Sequence, residues 1–138
     1  MRKAAVLIVV VLAVSFTCVA VAADFPNLVG TWEGKSIVHH RIHGFQPKWA
    51  EKVSMVVVEQ QDRLFSGYFQ RIKKDGTVHK HEFSGIIMKG EKQALLAWHI
   101  LEGITLMDIE SGDRLTNYAA IHAAKHAFVT MTEYTRVK

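Results

Sequence analysis

The sequence has 138 residues, of which 49% are hydrophobic and 22% are charged, with two prolines and one cysteine. This composition excludes intrinsic disorder and a collagen-like fibre, and the length suits one small globular domain. The formal net charge of +4 would suit an acidic partner such as a nucleic acid, but part of that charge lies in the N-terminal segment.

The N-terminal segment has the three parts of a secretory signal peptide. Two basic residues follow Met1, an apolar run extends from Ala4 to Val14, and small residues end the segment at Ala23. The apolar run is shorter than the ~20 residues that span a bilayer. We therefore predict a cleaved signal peptide over 1–23, a single domain over 24–138 without a transmembrane segment, and a periplasmic or secreted location.

Cleavage after Ala23 would change the chemistry available to the chain. It removes Cys18 and two basic residues, which leaves 115 residues with no cysteine and a net charge of +2. Disulfides, thiolate metal ligands and a cysteine nucleophile are then excluded. A nucleic acid is not expected as a partner at this charge.

The rest of the chain consists of short apolar, β-branched and aromatic runs separated by turn residues, without a long 3.6-residue periodicity. Eight such runs can be distinguished: Leu28 to His40, Glu51 to Gln60, Leu64 to Lys73, Val78 to Met88, Gln93 to Leu101, Ile104 to Ile109, Arg114 to His122 and His126 to Val137. Most connections between them have hairpin length and contain Gly or Asp.

Short connections favour antiparallel pairing of sequential strands, and closure removes exposed edges. We therefore predict an all-β fold, an eight-stranded antiparallel up-and-down barrel. A β-sandwich is the alternative, and only the segment from Arg41 to Ala50 is long enough for its crossover. The Ala-rich stretch from Ala119 to Ala127 would also suit a short helix, but we assign it to strands.

A short motif occurs twice in the middle of the chain. Phe65-Ser66-Gly67-Tyr68-Phe69 is followed eighteen residues later by Phe83-Ser84-Gly85-Ile86-Ile87, and eighteen residues is about one hairpin. In a strand the aromatic residue and the glycine of each copy share one face. A glycine inside a strand often marks strong curvature or the close approach of another group, although chance similarity is the alternative explanation.

The first and last strands carry a family resemblance. The segment Asn27 to Gly34 contains Gly30-Thr31-Trp32, a Gly-X-Trp motif, and Arg136 lies in the final run. With the eight-run meander, these features resemble the calycin superfamily of avidin-like and lipocalin-like barrels. The resemblance implies structural roles for Gly30, Trp32 and Arg136, with the tryptophan closing one end of the barrel and the arginine packing across it through a cation–π contact.

The resemblance to avidin-like proteins does not extend to biotin. The position two residues after the tryptophan is Gly34, and the position of the ligand-binding tyrosine of that family corresponds to Phe69. Both lack the polar group that the family uses. We therefore do not expect biotin as the ligand, and the sequence identifies no cofactor.

Histidine is the most distinctive chemical feature of the chain, with eight residues after the signal peptide. His79 and His81 are spaced i, i+2, so both rings would leave the same face of a strand. His39, His40 and His43 border the long first connection, which would bring another ligand nearby. A metal site on His79, His81, His39 and His43 is one interpretation; solvated loop histidines without a metal are the other.

Motifs for enzyme catalysis are not found in the sequence. It contains no Gly-X-Ser-X-Gly, no His-Glu-X-X-His and no phosphate-binding glycine loop. We therefore expect binding rather than catalysis.

A barrel of eight strands is either filled by side chains or holds one small ligand. If Trp32 points inward, alternation places several aromatic and polar residues inside, and these are our candidate ligand-binding residues: Trp32, Phe69, Arg71, His81, Phe83, Trp98 and Tyr118. The same aromatic residues would alternatively form a filled core. We predict a barrel that binds a small apolar or aromatic ligand; the alternatives are a protein-interaction module with a filled barrel and a histidine-based metal-binding protein.

Several runs are apolar on both faces, such as Met55 to Val58 and Ala94 to Trp98. An outward apolar surface favours self-association or contact with a partner. A homo-oligomer is therefore one expectation for this chain.

Overall fold

The computed structural model describes residues 25–46, 52–123 and 126–138. The predicted signal peptide over 1–23 and its cleavage site lie outside these residues. In the described ranges the chain forms nine β-strands. They are β1 (Gly30–His40), β2 (Gly44–Gln46), β3 (Lys52–Gln61), β4 (Leu64–Ile72), β5 (Val78–Ile87), β6 (Gln93–Trp98), β7 (Gly103–Ser111), β8 (Arg114–Ala123) and β9 (His126–Arg136).

The strands form one antiparallel sheet that closes on itself. From β3 to β9 each strand pairs with the next one in sequence, and β1 pairs with both β3 and β9. The closing register extends from Trp32 opposite Arg136 to His40 opposite Phe128. This closure confirms the all-β, eight-stranded up-and-down barrel and excludes the sandwich.

The short strand β2 lies in the segment that the sequence predicted as a long connection. It pairs with Val38–His40, whereas β3 pairs with Gly30–Gly34 on the same side of β1, so the two strands share one position in the barrel. Three residues are too few to show an alternating pattern, and Phe45 is 83% exposed. The hydrophobic pattern therefore gave no sign of this strand.

The described residues of the Ala-rich stretch, 119–123 and 126–127, are strand and not helix. They include the end of β8, which reaches Ala123, and the start of β9, which begins at His126. Ala119 pairs with Thr105 on β7 and with Thr130 on β9. Hydrogen-bonded pairing on both sides outweighs the intrinsic helix preference of alanine. This preference is only about a few tenths of a kcal/mol per residue relative to other common residue types.

The repeated Phe-Ser-Gly motif has a structural basis. Its two copies lie on β4 and β5 in opposite directions, with Phe65 opposite Gly85 and Gly67 opposite Phe83. A Cβ on Gly85 would lie 2.4 Å from Cζ of Phe65, and a Cβ on Gly67 would lie 2.0 Å from the carbonyl oxygen of Val56. The glycines therefore admit a close approach that alanine would prevent, as the sequence predicted for a glycine inside a strand.

One half of the barrel interior is filled. We call it the closed half, and it is the half where β1 begins and β9 ends. Its fully buried side chains come from six strands: Trp32, Met55, Val57, Phe83, Ile87, Ala94, Leu96, Met107 and Leu115. Burial of this apolar surface supplies the main stabilisation of the fold, since the described residues contain no cysteine.

Candidate ligand-binding site

The end of the closed half is sealed by Trp32 and Arg136. Nε1 of Trp32 donates a hydrogen bond to the Leu28 carbonyl at 3.0 Å, and Cζ of Arg136 lies 4.1 Å from the centroid of the indole ring. Gly30, at φ +140°, lies beside this pair, because a Cβ there would be 2.9 Å from Nη1 of Arg136.

The guanidinium of Arg136 also joins three chain segments. Nη1 donates to the carbonyl of Val29 at 2.7 Å, Nη2 to that of Asn27 at 2.5 Å, and Nε to that of Gly112 at 2.9 Å. These hydrogen bonds satisfy carbonyls in the segment before β1 and in the β7–β8 turn. This end of the barrel is consequently closed to a ligand.

The opposite half contains a cavity of about 540 Å³, within the range of small-molecule sites. It opens where β1 ends and β9 begins, because His43, Lys73 and Leu101 from the turns at that end line it. We call this half the hollow half. The cavity has an aromatic floor, a wall of hydroxyl groups and a basic wall.

The aromatic floor separates the cavity from the closed half. The ring of Phe69 lies 4.5 Å from that of Trp98 and 4.8 Å from that of Phe83, measured between centroids. Phe69 and Trp98 face the cavity, whereas Phe83 lies beneath them. Nε1 of Trp98 donates to Oγ1 of Thr105 at 3.0 Å, which fixes the indole orientation. The floor is therefore rigid and apolar.

The hydroxyl wall lies on β1 and β9. Oγ of Ser36 is 2.8 Å from Oγ1 of both Thr130 and Thr132. Tyr134 lies deeper, and burial raises the pKa of its phenol, against a hydrogen bond with Thr132 that lowers it. The serine and the two threonines are short, so they leave volume in the barrel. All four hydroxyl groups are neutral, so they add no charge to this wall.

Asn117 on β8 extends the neutral wall and is incompletely bonded. Its Nδ2 donates a weak bond to Sδ of Met55 at 3.8 Å, and its Oδ1 is buried with no hydrogen-bond partner among the described residues. A buried carbonyl oxygen without a partner is unusual in a packed core. Since Asn117 lines the cavity, a group inside the cavity can reach it.

The basic wall lies on β4 and β5. Arg71 is directly opposite His79 in the register, and His81 is opposite Phe69. Desolvation lowers the pKa of the Arg71 guanidinium, which nevertheless stays charged. Desolvation, followed by repulsion from Arg71, lowers the pKa of both His79 and His81. Nε2 of His79 is buried without a hydrogen-bond partner in the described chain.

Six of the seven predicted ligand-binding residues point into the barrel, and they divide between its two halves. Phe69, Arg71, His81 and Trp98 line the cavity. Trp32 and Phe83 point inward but are fully buried in the closed half, so they do not reach the cavity.

The interior position predicted for Tyr118 is wrong. Tyr118 is 44% exposed and lies on the opposite strand face from Asn117 and Ala119, both of which line the cavity. The prediction used the aromatic character of Tyr118 without first fixing the inward face of β8.

The four histidines proposed as metal ligands do not gather at one point. His43, His79 and His81 line the cavity, whereas His39 lies on the outer face of β1 with its ring centroid 4.7 Å from that of Phe45. Among the residues that the structure describes, no three His, Cys, Asp or Glu side chains form a group that could hold a metal ion.

Several lining residues were not among the predicted ligand-binding residues, above all His40 and the hydroxyl wall. Nδ1 of His40 accepts a hydrogen bond from the backbone N–H of Ile42 at 3.1 Å. Ser36 and His40 point to the same inward face of β1 as Trp32, because an even number of residues separates each of them from Trp32. Extending the alternation from Trp32 along β1 would have found them.

Comparisons with known proteins show a similarity of fold to solved structures and no match by sequence. No model of a known protein family matches the sequence, and no curated protein matches it. In the structure search, a redesigned beta barrel matches 80% of this chain and 92% of its own at 9% identity, with a TM-score of 0.56.

Two natural proteins match at lower TM-scores. Lobster apocrustacyanin A1 has a TM-score of 0.49 at 13% identity, with coverage of 79% of this chain and 60% of the lobster chain. Zebrafish ileal bile acid-binding protein, in a complex with cholic acid, has a TM-score of 0.41 at 13% identity, with coverage of 79% and 98%.

The described ranges contain no helix with the length and apolar character needed to cross a bilayer. The sheet closes after eight strand positions, and Arg136 packs across Trp32 at the closed end. The architecture is that of a calycin-like small β-barrel.

Proposed function

We propose that this protein binds one small apolar or aromatic ligand in the hollow half of the barrel, without catalysing a reaction on it. The observation that carries this proposal is the cavity of about 540 Å³ above a floor formed by Phe69 and Trp98. Apolar walls with a few convergent polar groups are typical of small-molecule sites. Oδ1 of Asn117 and Nε2 of His79 are the polar atoms that a ligand or water in the cavity would satisfy.

The test is a titration of the purified protein with Nile red, an uncharged fluorescent dye. We expect saturable binding of one dye per chain. Ala119→Leu, which adds volume at the cavity wall, should abolish it. Ala97→Leu is the matched control, because Ala97 is exposed on β6. No saturable binding by folded wild-type protein, or equal loss of binding in both variants, would refute the proposal.

We also propose that the protein acts outside the cytoplasm, in the periplasm or after secretion. The basic start, apolar run and small residues of 1–23 support this location. Expression of the full chain in a bacterial host, followed by fractionation and N-terminal sequencing, tests it. A mature protein that begins at Asp24 outside the cytoplasm is expected, and a cytoplasmic protein that retains residues 1–23 would contradict it.

The outer face supports self-association as a second candidate function. An unbroken row of apolar residues crosses seven neighbouring strands in register. The row is Leu64, Ile86, Leu95, Leu106, Tyr118, Met131 and Ile37. The row runs around most of the barrel, so a second copy would cover only a part of it, and the part around Tyr118 suits a symmetric interface.

Light scattering of the eluted protein tests this second function. A dimer or larger assembly is expected, and Tyr118→Lys should dissociate it. Lys80→Glu changes an outward charge away from the row and serves as the control. A monomeric wild-type protein at micromolar concentration would exclude self-association through this face.

A further inference from the structure

The charged groups of the cavity have one sign. The described lining residues include Arg71, Lys73 and four histidines, but no Asp or Glu. The neighbouring acids have other positions: Asp75 lies in the β4–β5 turn and accepts a hydrogen bond from the Thr77 N–H at 2.9 Å, and Glu82 lies on the outer face of β5. Two permanent positive charges and several titratable nitrogens thus share a partly desolvated space.

The two permanent charges, Arg71 and Lys73, lie on one side of this space together with two of the four histidines. Arg71 and His79 are direct cross-strand neighbours on β4 and β5, and His81 follows two residues later on the same inward face. The opposite side carries no permanent charge: the hydroxyl groups of Ser36, Thr130 and Thr132 are bonded to one another. His40 lies nearer the open end of β1, and its Nδ1 already accepts a hydrogen bond from the Ile42 backbone N–H. An anionic group in the cavity therefore has one favourable position, beside Arg71 and His79.

The apolar surface lies next to this position. Phe69 is the neighbour of His81 in the register, and the Trp98 ring centroid is 6.1 Å from that of His81. A molecule with an apolar body on the floor would place its end against the basic wall. The planar fork of a guanidinium matches the two oxygens of a carboxylate.

We propose that the ligand is an apolar organic anion of the carboxylate class, with its charged end held by Arg71, His79 and His81. This inference rests on the proposed function and adds to it the charge of the ligand and its orientation. The carboxylate accepts hydrogen bonds from the guanidinium and from Nε2 of His79, and it offsets the repulsion among the basic groups.

The test compares two competitors of equal length, decanoate and decanamide, by displacement of Nile red at pH 7. Decanoate should displace the dye at a concentration at least about tenfold lower than decanamide. Arg71→Gln and, separately, His79→Gln should reduce this preference while decanamide still displaces the dye. Lys89→Gln removes a positive charge from an exposed turn of the closed half and should leave the preference unchanged.

The outcomes separate the two proposals. Equal displacement by both competitors would overturn the carboxylate preference and leave the binding function intact. No binding of Nile red by folded protein would refute the binding function itself. Circular dichroism identifies a variant that fails to fold, in which case the other variant decides. A preference that survives in both folded variants would overturn the assignment to the basic wall.

Discussion

The closed half and the hollow half of the barrel are built from the same strands with the same alternation, but their inward side chains differ. On β5, Phe83, Gly85 and Ile87 fill the closed half, whereas His79 and His81 face the cavity. On β1, Trp32 seals one end, whereas Ser36 lies beside the cavity. A single strand therefore contributes to a stabilising core at one end and to a binding site at the other.

The difference lies in the volume and polarity of the inward residues. In the hollow half, the middle of the wall on β8, β9 and β1 is formed by residues that are too small to meet across the barrel: Asn117, Ala119, Thr130, Thr132 and Ser36. The larger side chains of these strands that line the cavity are Ile121, Phe128, Tyr134 and His40. In the closed half the Phe65 and Phe83 rings are 6.0 Å apart and fill the space that Gly67 and Gly85 leave. The four predictions below test this division, and the largest expected effect comes first.

Removal of an aromatic ring should cost far more stability in the closed half than in the hollow half. Phe83→Ala is expected to lower the free energy of unfolding by about 3–5 kcal/mol, because Phe83 is fully buried. Phe128→Ala, the same change at the partly exposed cavity rim, should cost about 1 kcal/mol. Urea unfolding of both variants measures the difference, and equal losses would contradict the division into two halves.

Addition of volume should likewise cost more stability in the closed half than in the hollow half. Ala94→Leu in the closed half should destabilise the protein by about 1–3 kcal/mol, because Ala94 is fully buried in a packed core. Ala119→Leu, at the cavity wall, should change stability by less than about 1 kcal/mol, because the added methyl groups enter space that is already open. Thermal unfolding of the pair checks this. A larger loss for Ala119→Leu would indicate that the cavity closes in solution.

A methyl group on the β5 glycine should disturb the contact between the two motif copies. Gly85→Ala brings a Cβ to 2.4 Å from the Phe65 ring, so we expect a loss of about 1–2 kcal/mol, which is limited because the ring can shift. Gly112→Ala is the control, because a Cβ there meets no atom within 4 Å. Chemical denaturation of both variants distinguishes the loss of a specific contact from the effect of a glycine-to-alanine change at a position with open space around it.

The smallest expected effect is the pH dependence of the unliganded protein. The pKa values of His79 and His81 are lowered by desolvation first and then by Arg71 on β4; Lys73 also repels His79, and Asp75 opposes that shift. The unfolded chain therefore binds protons more readily than the folded one. Stability should decrease as the pH falls through the ordinary histidine pKa of 6.5.

Thermal unfolding between pH 7.5 and 5.5, a window of about one unit either side of the ordinary histidine value, measures this effect. The variant with both His79→Gln and His81→Gln should lose less stability over this range than the wild type. His99→Gln is the control, because His99 is exposed on the outside, with Nδ1 3.6 Å from the Glu82 carboxylate. An unchanged slope in the double variant would show that other groups control the pH response.

The fold could largely be predicted from the sequence, for a local reason. Strand alternation and short turns are encoded over fewer than ten residues (roughly) at a time, so the runs beginning at Leu64 and Gln93 match β4 and β6 at their first residues. Up-and-down connection then follows, because such turns join neighbouring antiparallel strands. β2 escaped detection because it is too short to show a pattern.

The site could be predicted only in part. The repeated motif lies on β4 and β5, and the alternation of side chains along these strands shows which residues share the inward face with its aromatic residues. For this reason Phe69, Arg71 and His81 were predicted. The hydroxyl wall was missed because Ser36, Thr130 and Thr132 meet only when β9 closes against β1, more than ninety residues apart in sequence. Tyr118 was misplaced because an aromatic residue also occurs in a row of apolar residues on the outer surface of a barrel.

The sequence by itself determined the eight long strands, their order and most of the residues able to face inward, because these follow from local periodicity and turn length. Only the tertiary structure decided which inward residues fill the barrel and which leave it open. That outcome depends on the summed volume of side chains from strands far apart in sequence, and no single run records it. The chain that composition described as one small, mildly basic domain is thus a barrel with one packed half and one basic cavity.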